Sequence, residues 1–283
     1  MIGFFTRWAA AAAVVAALFA VPSAAMAQAQ DRSGAQINIG GGRLTAAEAE
    51  DLAVYDEAMR DFQARGFSGL EANLPKLRRA LERAPAHYPA VEQSGDRWIV
   101  RAEDTADALM LSIMATAAAN KASPDGQPRV DTQRNVYPLI ALILGSMEVE
   151  RRNYQGGIDY LDRGLALQPM NWMLLSEKLS ALHGLGRWED ALKAADDALA
   201  SGDLLISTHA DHFHRKRGFA LIELGRLDEA LAAYEESLKS DPDNPVARQE
   251  IDYIRGLQAG APATEPEIFA PYAPQPEQTS PRT

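Results

Sequence analysis

The sequence predicts an all-α protein, an α-α superhelix of stacked helical hairpins, with a small irregular or β-hairpin insertion in its N-terminal part. Two observations support this prediction. A block of 34 residues recurs at 138–171, 172–205 and 211–244, and small residues return at fixed places within each block. A helix–turn–helix period of this length is typical of solenoids, in which each hairpin buries its apolar face against its neighbours.

Equivalent positions of the three blocks hold similar residue types. Each second helix opens with an aromatic residue or leucine, followed three positions later by a small residue, in the pairs Tyr154 and Gly157, Trp188 and Ala191, Leu227 and Ala230. Small residues let the two helices of a hairpin approach closely. Five residues, around Leu204 to Thr208, are inserted between the second and third blocks. We expect a capping helix at 245–258, because the last hairpin of a solenoid must be covered.

The third block resembles a consensus unit of the tetratricopeptide repeat family. The stretch with this resemblance reads GFALIELGRLDEALAAYEESLKSDPDN, from Gly218 to Asn244. In this family, ligands usually bind in the concave groove formed by the first helices. The resemblance therefore implies a peptide-binding groove. Its lining includes Ser146 and Glu150 in the first block, Glu177, Ser180 and His183 in the second, and His212, Arg215, Lys216 and Phe219 in the third.

The charges of this groove suggest the kind of partner. Family members that clamp a terminal carboxylate use lysines and asparagines on successive repeats, whereas this chain has Leu142, Ser146 and Glu177 at the corresponding places. A basic corner remains at 215–217, and it would suit an acidic or carboxylate-bearing peptide. The alternative is that these cations are ordinary solvated charges, since exposed ion pairs contribute little.

Three histidines carry the alternative hypothesis of a metal-dependent or small-molecule-dependent activity. At about 100° per residue, His209 and His212 share one helical face, while His214 points elsewhere. One helix therefore cannot bring all three to a zinc ion, which needs four ligands or three and a water. A purely structural scaffold is a further alternative. The sequence contains no nucleophile motif that predicts an enzyme, and no cofactor is predicted.

The first 27 residues have the pattern of an export signal. Arg7 precedes an apolar run from Trp8 to Val21, and Ala25-Met26-Ala27 forms an A-x-A cleavage site. A helix of 14 residues is too short to span the ~30 Å hydrocarbon core of a membrane. We therefore expect cleavage after Ala27 and a periplasmic or secreted bacterial protein that does not span the membrane.

The region 45–135 is predicted to contain degenerate helical hairpins, after a flexible leader at 28–44. A capping box at Thr45-Ala-Ala-Glu48 begins one helix. The second helix starts either at Ser68 or, because a proline breaks the ladder of a long helix, at Pro75, and runs to about Arg83. A small β-hairpin follows at 86–101, then a helix at 105–120 and a surface loop at 121–135. The proline-rich segment 259–283 is expected to be disordered.

Composition limits the possible functions. The chain has no cysteine, which excludes disulfides, thiolate catalysis and cysteine metal sites. Its formal net charge is −11, and removal of Met1–Ala27 would change it to −12. Nucleic acid is an unsuitable partner, because affinity for phosphates depends on lysine and arginine. We therefore expect a non-enzymatic adaptor or assembly factor of the bacterial cell envelope, which binds a protein or peptide.

Overall fold

The computed structural model describes residues 28–30, 36–122 and 129–263. Its helices are α1 (Ala46–Arg65), α2 (Phe67–Glu82), α3 (Thr105–Ala122), α4 (Val136–Glu150), α5 (Tyr154–Leu167), α6 (Trp172–Gly184), α7 (Trp188–Ala200), α8 (Leu204–Thr208), α9 (Ala210–Glu223), α10 (Leu227–Ser240) and α11 (Pro245–Gln258). The strands are β1 (Gln28–Gln30), β2 (Gln36–Asn38), β3 (Val91–Ser94), β4 (Arg97–Ala102) and β5 (Arg129–Arg134). The predicted helical superhelix, with a small sheet in the N-terminal part, is confirmed.

The repeat helices form consecutive hairpins, α4 with α5, α6 with α7, and α9 with α10. The short helix α8 occupies the five inserted residues, and the side chain of Asp203 caps it by accepting bonds from the amides of Leu205 and Ile206. Helix α11 packs on α10, with Ile251 and Ile254 buried. The apolar face of the last hairpin is thereby covered, as a solenoid requires.

Helices α1 and α2 form a further hairpin before the sheet. Thr45 and Glu48 make the predicted capping box, with distances of 3.2 Å and 2.7 Å between side chain and amide. Of the two predicted starts of α2, Ser68 agrees with the structure to within one residue and Pro75 is wrong, since the helix begins at Phe67 and contains the proline. The helical spacing of its buried apolar residues continues through Pro75, in Leu70, Leu74, Leu77 and Leu81. Their burial outweighs the cost of an interior proline, about 3 kcal/mol.

The sheet is larger than the predicted hairpin of β3 and β4. Its strand order is β1-β2-β5-β4-β3, with β5 parallel to both β2 and β4. The surface loop predicted over 121–135 is wrong for Arg129–Arg134, which form the middle strand and bury Val130 completely. The structure also differs from the predicted flexible leader, because Gln36–Asn38 pair with β5 and Ile37 is buried.

Trp172 joins the parts of the protein. One apolar cluster lies among α1, α2, α4 and α5, a second among the later repeat helices, and a third between the sheet and α3. Trp172 packs against all three. Leu205 of α8 belongs to the third cluster, so the inserted helix also contacts the sheet region.

Some predictions fall on other parts of the chain. The export signal at 1–27 and residues 264–283 of the proline-rich tail lie outside the described residues. Among the helices that the structure describes, none is long and apolar enough to cross a membrane.

Candidate functional site

The first helices of the three hairpins, α4, α6 and α9, contact one another in order. Glycines allow the first helices α4 and α9 to approach their partners closely. A Cβ atom added to Gly145 would lie 2.6 Å from Cγ of Leu161, and one added to Gly218 would lie 2.6 Å from the ring of Tyr234. Because α4, α6 and α9 contact one another in order, we call the region where they pack together the groove floor.

Of the predicted groove residues, the six from Ser180 to Phe219 lie on α6 and α9, but most of them are buried. Ser180 and His212 are partly exposed. The other four are between 2% and 8% exposed, namely His183, Arg215, Lys216 and Phe219. These four side chains lie where α6 and α9 pack together, so they belong to the groove floor and not to an open surface.

The two arginines of the predicted basic corner are paired within the chain. Nη2 of Arg215 lies 2.8 Å from Oδ2 of Asp211, one turn earlier on α9. Arg217 points away from the floor and donates from Nε to Oδ1 of Asp196 on α7, at 2.6 Å. Nη1 of Arg215 is buried without a hydrogen-bond partner. One arginine donor is therefore left on the floor.

Lys216 is buried between α9 and α6. Its Nζ donates to Oγ of Ser180 at 2.6 Å. Burial lowers the pKa of Lys216 to about 8, and the nearby Glu177 carboxylate opposes this shift. Burial in turn raises the pKa of Glu177, while Lys216 lowers it. The two groups therefore partly compensate each other's desolvation.

A second carboxylate, Glu150 at the end of α4, has no such compensation. Burial raises the pKa of Glu150 to about 7, and the charge of Glu177 acts in the same direction. Oε2 of Glu150, Oε1 of Glu177 and Oγ of Ser146 are buried and have no hydrogen-bond partner. We call these three residues the acidic end of the floor. The predicted groove lining included these three residues, but their burial, at 3% exposure or less, was not predicted.

His183 lies among aromatic side chains on the floor. Its ring centroid is 4.9 Å from that of Phe219 and 5.9 Å from that of Trp188. Burial holds the pKa of His183 well below its usual value, and Lys216 adds to the effect. His183 is therefore neutral at pH 7, and its buried Nε2 has no hydrogen-bond partner.

The three histidines of the metal hypothesis are not brought together. His209 stacks on Trp172, with ring centroids 3.7 Å apart and an interplanar angle of 14°. The ring of His212 lies 6.2 Å from that of His209. Burial lowers the pKa of His212 to about 4 and also lowers that of His214. Within the described residues, no group of three His, Cys, Asp or Glu side chains is placed to hold a metal ion.

A polar joint connects the groove helices to the sheet region. Glu103, directly after β4, accepts hydrogen bonds from the side-chain amides of Asn135, at 2.6 Å, and Asn171. Nε1 of Trp172 donates to Asp107 of α3 at 3.0 Å. Burial raises the pKa of Glu103 to about 7, although the two amides oppose the shift. Sequence reasoning missed this joint, because its residues come from three separate segments.

Comparison with protein families identifies the repeats. A family model described as "Tetratricopeptide repeat" matches residues 142–204 and 180–245. Residues 142–245 are tetratricopeptide repeats. The matched range runs from within α4 to the start of α11, so it covers the groove floor but not the sheet region.

Known proteins match less than half of the chain. The heat shock protein sti1 homolog of Schizosaccharomyces pombe is 31% identical over 129 residues, 46% of this chain and 21% of that protein. The STIP1 homolog of Dictyostelium discoideum is 26% identical over 117 residues, 41% of this chain and 20% of that protein. The chain spans about a fifth of the length of these two relatives. The second TPR domain of human RPAP3, solved with an HSP70 peptide, is 26% identical with a TM-score of 0.37, over 42% of this chain and 98% of that one.

Proposed function

We propose that this protein is a non-enzymatic adaptor or assembly factor that binds a protein or peptide on the groove floor. The observation that supports the proposal is the set of buried polar atoms without hydrogen-bond partners on α4, α6 and α9. They are Oε2 of Glu150, Oε1 of Glu177, Nε2 of His183 and Nη1 of Arg215. Buried polar groups are nearly always hydrogen-bonded, and an unpaired one costs about 1–3 kcal/mol. These atoms are covered in the structure, so a bound peptide would supply their missing partners only after α4, α6 and α9 move apart.

The unpaired donor of Arg215 supports the proposal that the partner is acidic or carries a carboxylate, as expected from the sequence. Its Nη1 is the donor left on the floor after Asp211 has taken Nη2. A carboxylate that accepted a bond from Nη1 would form a charge-assisted hydrogen bond in a water-poor environment.

Co-purification after mild crosslinking tests the proposal. The variant His212→Glu places a negative charge at a partly exposed position beside the floor, and Ala232→Glu places the same charge on the exposed face of α10. We expect the wild type and Ala232→Glu to capture the same partner, and His212→Glu to lose it while it keeps its helical circular dichroism. Equal capture by all three chains would mean that binding occurs elsewhere.

We also propose that the protein acts in a bacterial cell envelope, periplasmic or secreted, after removal of residues 1–27. This proposal is supported by the basic residue, apolar run and A-x-A site described above. N-terminal sequencing of the protein from a periplasmic extract should begin at Gln28. A sequence that begins at Met1 or Ile2 would contradict it.

A further inference from the structure

Two arginines lie side by side on one face of the sheet. Arg97 of β4 and Arg129 of β5 are direct partners in the parallel register of these strands, so their Cα atoms are about 5 Å apart. Their side chains are 45% and 49% exposed, so both can be reached from solvent. Like charges at directly opposed positions of neighbouring strands repel, so strand pairing alone does not favour this arrangement.

The two arginines converge on the carboxylate of Asp131. Asp131 follows Arg129 by two positions, on the same face of β5, and is buried. Its Oδ2 lies 3.5 Å from Nη1 of Arg97, and its Oδ1 lies 3.9 Å from Nη2 of Arg129. Oδ1 already accepts a hydrogen bond from Nδ2 of Asn38 at 2.7 Å. Both arginine contacts are longer than the usual ~2.7–3.2 Å of an N–H···O hydrogen bond.

The guanidinium donors of this pair are therefore available to a ligand. Each guanidinium group has five N–H donors, and among the described residues its one ion pair is the long contact to Asp131. Glu92, on the neighbouring strand β3, is paired with Arg101 at 2.8 Å. Asp131 balances one of the two positive charges, so the pair keeps one positive charge in excess.

Neutral polar side chains extend the pair on both sides. Gln36 of β2 is the register partner of Arg129, and Ser94 of β3 is the register partner of Arg97. All four residues are exposed, and we call them the cationic row. The row crosses four strands without an exposed carboxylate, in a chain whose formal net charge is −11. An acidic partner would meet no repulsion from the row itself.

The charge of the cationic row suits a carboxylate. The planar fork of an arginine donates two parallel hydrogen bonds to the two oxygens of a carboxylate. A single carboxylate also matches the one excess positive charge, whereas a phosphate group carries about −1.5 to −2. The row belongs to the sheet region, outside residues 142–245 of the tetratricopeptide repeats.

We infer that the cationic row of the sheet binds a carboxylate of an acidic protein or peptide, with Arg97 and Arg129 as its two charged ligands. This inference goes beyond the proposed groove function, because it adds a second binding surface on a different part of the protein. An adaptor with two such surfaces holds two segments at once.

Fluorescence anisotropy of the full chain with labelled decapeptides tests the inference. The probes are an alternating Ala-Glu peptide and an uncharged Ala-Gln peptide, and we expect only Ala-Glu to bind. Replacement of both Arg97→Gln and Arg129→Gln should raise its Kd about tenfold. The matched control replaces Arg60→Gln and Arg79→Gln, which removes two charges from exposed positions of α1 and α2 and should change the Kd less than about twofold.

The possible results separate this inference from the groove proposal. Retention of Ala-Glu binding by His212→Glu, with loss in the Arg97 and Arg129 variant, supports the cationic row. The opposite pattern would place the acidic peptide on the groove floor and overturn the inference. Equal weakening by the two arginine pairs would show general charge attraction and also overturn it. If the wild type does not bind Ala-Glu, the inference is wrong, and the crosslinking experiment decides the groove function separately.

Two further arms keep the test decisive. If the glutamine variant does not fold because Asp131 has lost both cations, Arg97→Lys with Arg129→Lys replaces it. The lysines keep the charges beside Asp131 but not the planar forks, so a smaller rise in Kd is expected and an unchanged Kd would contradict the inference. Displacement of the peptide by inorganic phosphate at an equal concentration of anions would show a phosphate site and overturn the choice of a carboxylate.

Discussion

The cores of the repeat helices and of the sheet region are built from residues at different separations along the chain. Each hairpin of 136–258 buries small and apolar residues against the next helix in sequence. The sheet region instead pairs β2 with β5, and Nδ2 of Asn38 bonds to Oδ1 of Asp131, 93 positions away, at 2.7 Å. The repeats therefore depend on local contacts, whereas the sheet can form only after distant segments meet.

The two regions meet at Trp172 and Glu103. Trp172 belongs to the first helix of the second repeat, yet it packs against the sheet cluster and donates to Asp107. Glu103 belongs to the sheet region, yet it accepts from Asn171, which caps that same repeat helix. A few residues therefore hold the sheet region to the solenoid. Substitutions at these residues should separate the two regions most effectively.

The largest effect should come from Trp172→Ala. We expect a loss of about 3 kcal/mol in the free energy of unfolding, because a large aromatic side chain shared by three clusters is removed. Differential scanning calorimetry should then show two transitions, one for the sheet region and one for the repeats. Trp172→Phe, which keeps most of the packing and loses the bond to Asp107, should cost about 1 kcal/mol. A single unshifted transition in Trp172→Ala would contradict the role of this joint.

The next effect concerns the pH dependence of stability through Glu103. Its pKa in the folded protein is about 7, above its ordinary value of 4.5. The stabilisation linked to its proton is fully present below pH 4.5 and is lost as the pH rises through about 7. The free energy of unfolding of the wild type should therefore fall by on the order of 3 kcal/mol between pH 4 and 8. Glu103→Gln keeps an acceptor oxygen for both amides and should not show this fall.

Urea unfolding at both pH values measures this effect. Glu150→Gln serves as the matched variant in the repeats, because burial also raises the pKa of Glu150 to about 7. Glu150→Gln should remove only the part of the pH dependence of unfolding that comes from Glu150, and should leave the part that comes from Glu103. An unchanged pH dependence in Glu103→Gln would show that the joint carboxylate is ionised at all these pH values.

A smaller effect is expected where the two helices of a hairpin touch. Gly218→Ala should lower the free energy of unfolding by about 1–3 kcal/mol, because the new Cβ would lie 2.6 Å from the ring of Tyr234. The control is Gly256→Ala in α11, where the nearest atom would lie at 3.8 Å. It should be neutral or stabilising by up to about 1 kcal/mol. Chemical denaturation of both variants measures the difference, and equal stabilities would contradict close packing at Gly218.

The smallest effect should come from the outer face of α3. This helix exposes Leu109, Ile113 and Met114, and Ile113 is 54% exposed. Ile113→Gln should change the free energy of unfolding by less than about 0.5 kcal/mol. The matched variant Leu111→Gln, on the buried face of the same helix, should lose about 3 kcal/mol. A large loss in Ile113→Gln would mean that this face is covered in the native protein.

Sequence reasoning predicted the repeats well because their signals are local. The period of 34 residues, the inserted segment at Leu204–Thr208 and the capping helix at Pro245–Gln258 agree with the observed helices. Each depends on residues within one or two turns, such as the glycines after the first helices. Gly186 and Gly225 have φ angles of 66° and 71°, which a helix C-cap of this kind requires.

The same reasoning failed where distant segments cooperate. Arg129–Arg134 are mostly polar, so the segment resembled a loop, yet it is the middle strand between β2 and β4. The groove prediction placed its residues on the correct helices but assigned a buried lysine and phenylalanine to an open surface. It included Glu150 and Glu177 as lining residues but did not predict that α4 and α6 bury their two carboxylates close together.

The sequence by itself determined the repeat hairpins and their order, because helix periodicity and capping act within a few residues. The tertiary structure alone decided which strands pair, that Trp172 and Glu103 join the two regions, and which polar atoms of the groove floor are without partners. These features depend on burial between segments far apart in the chain, and desolvation sets both their stability and their charge.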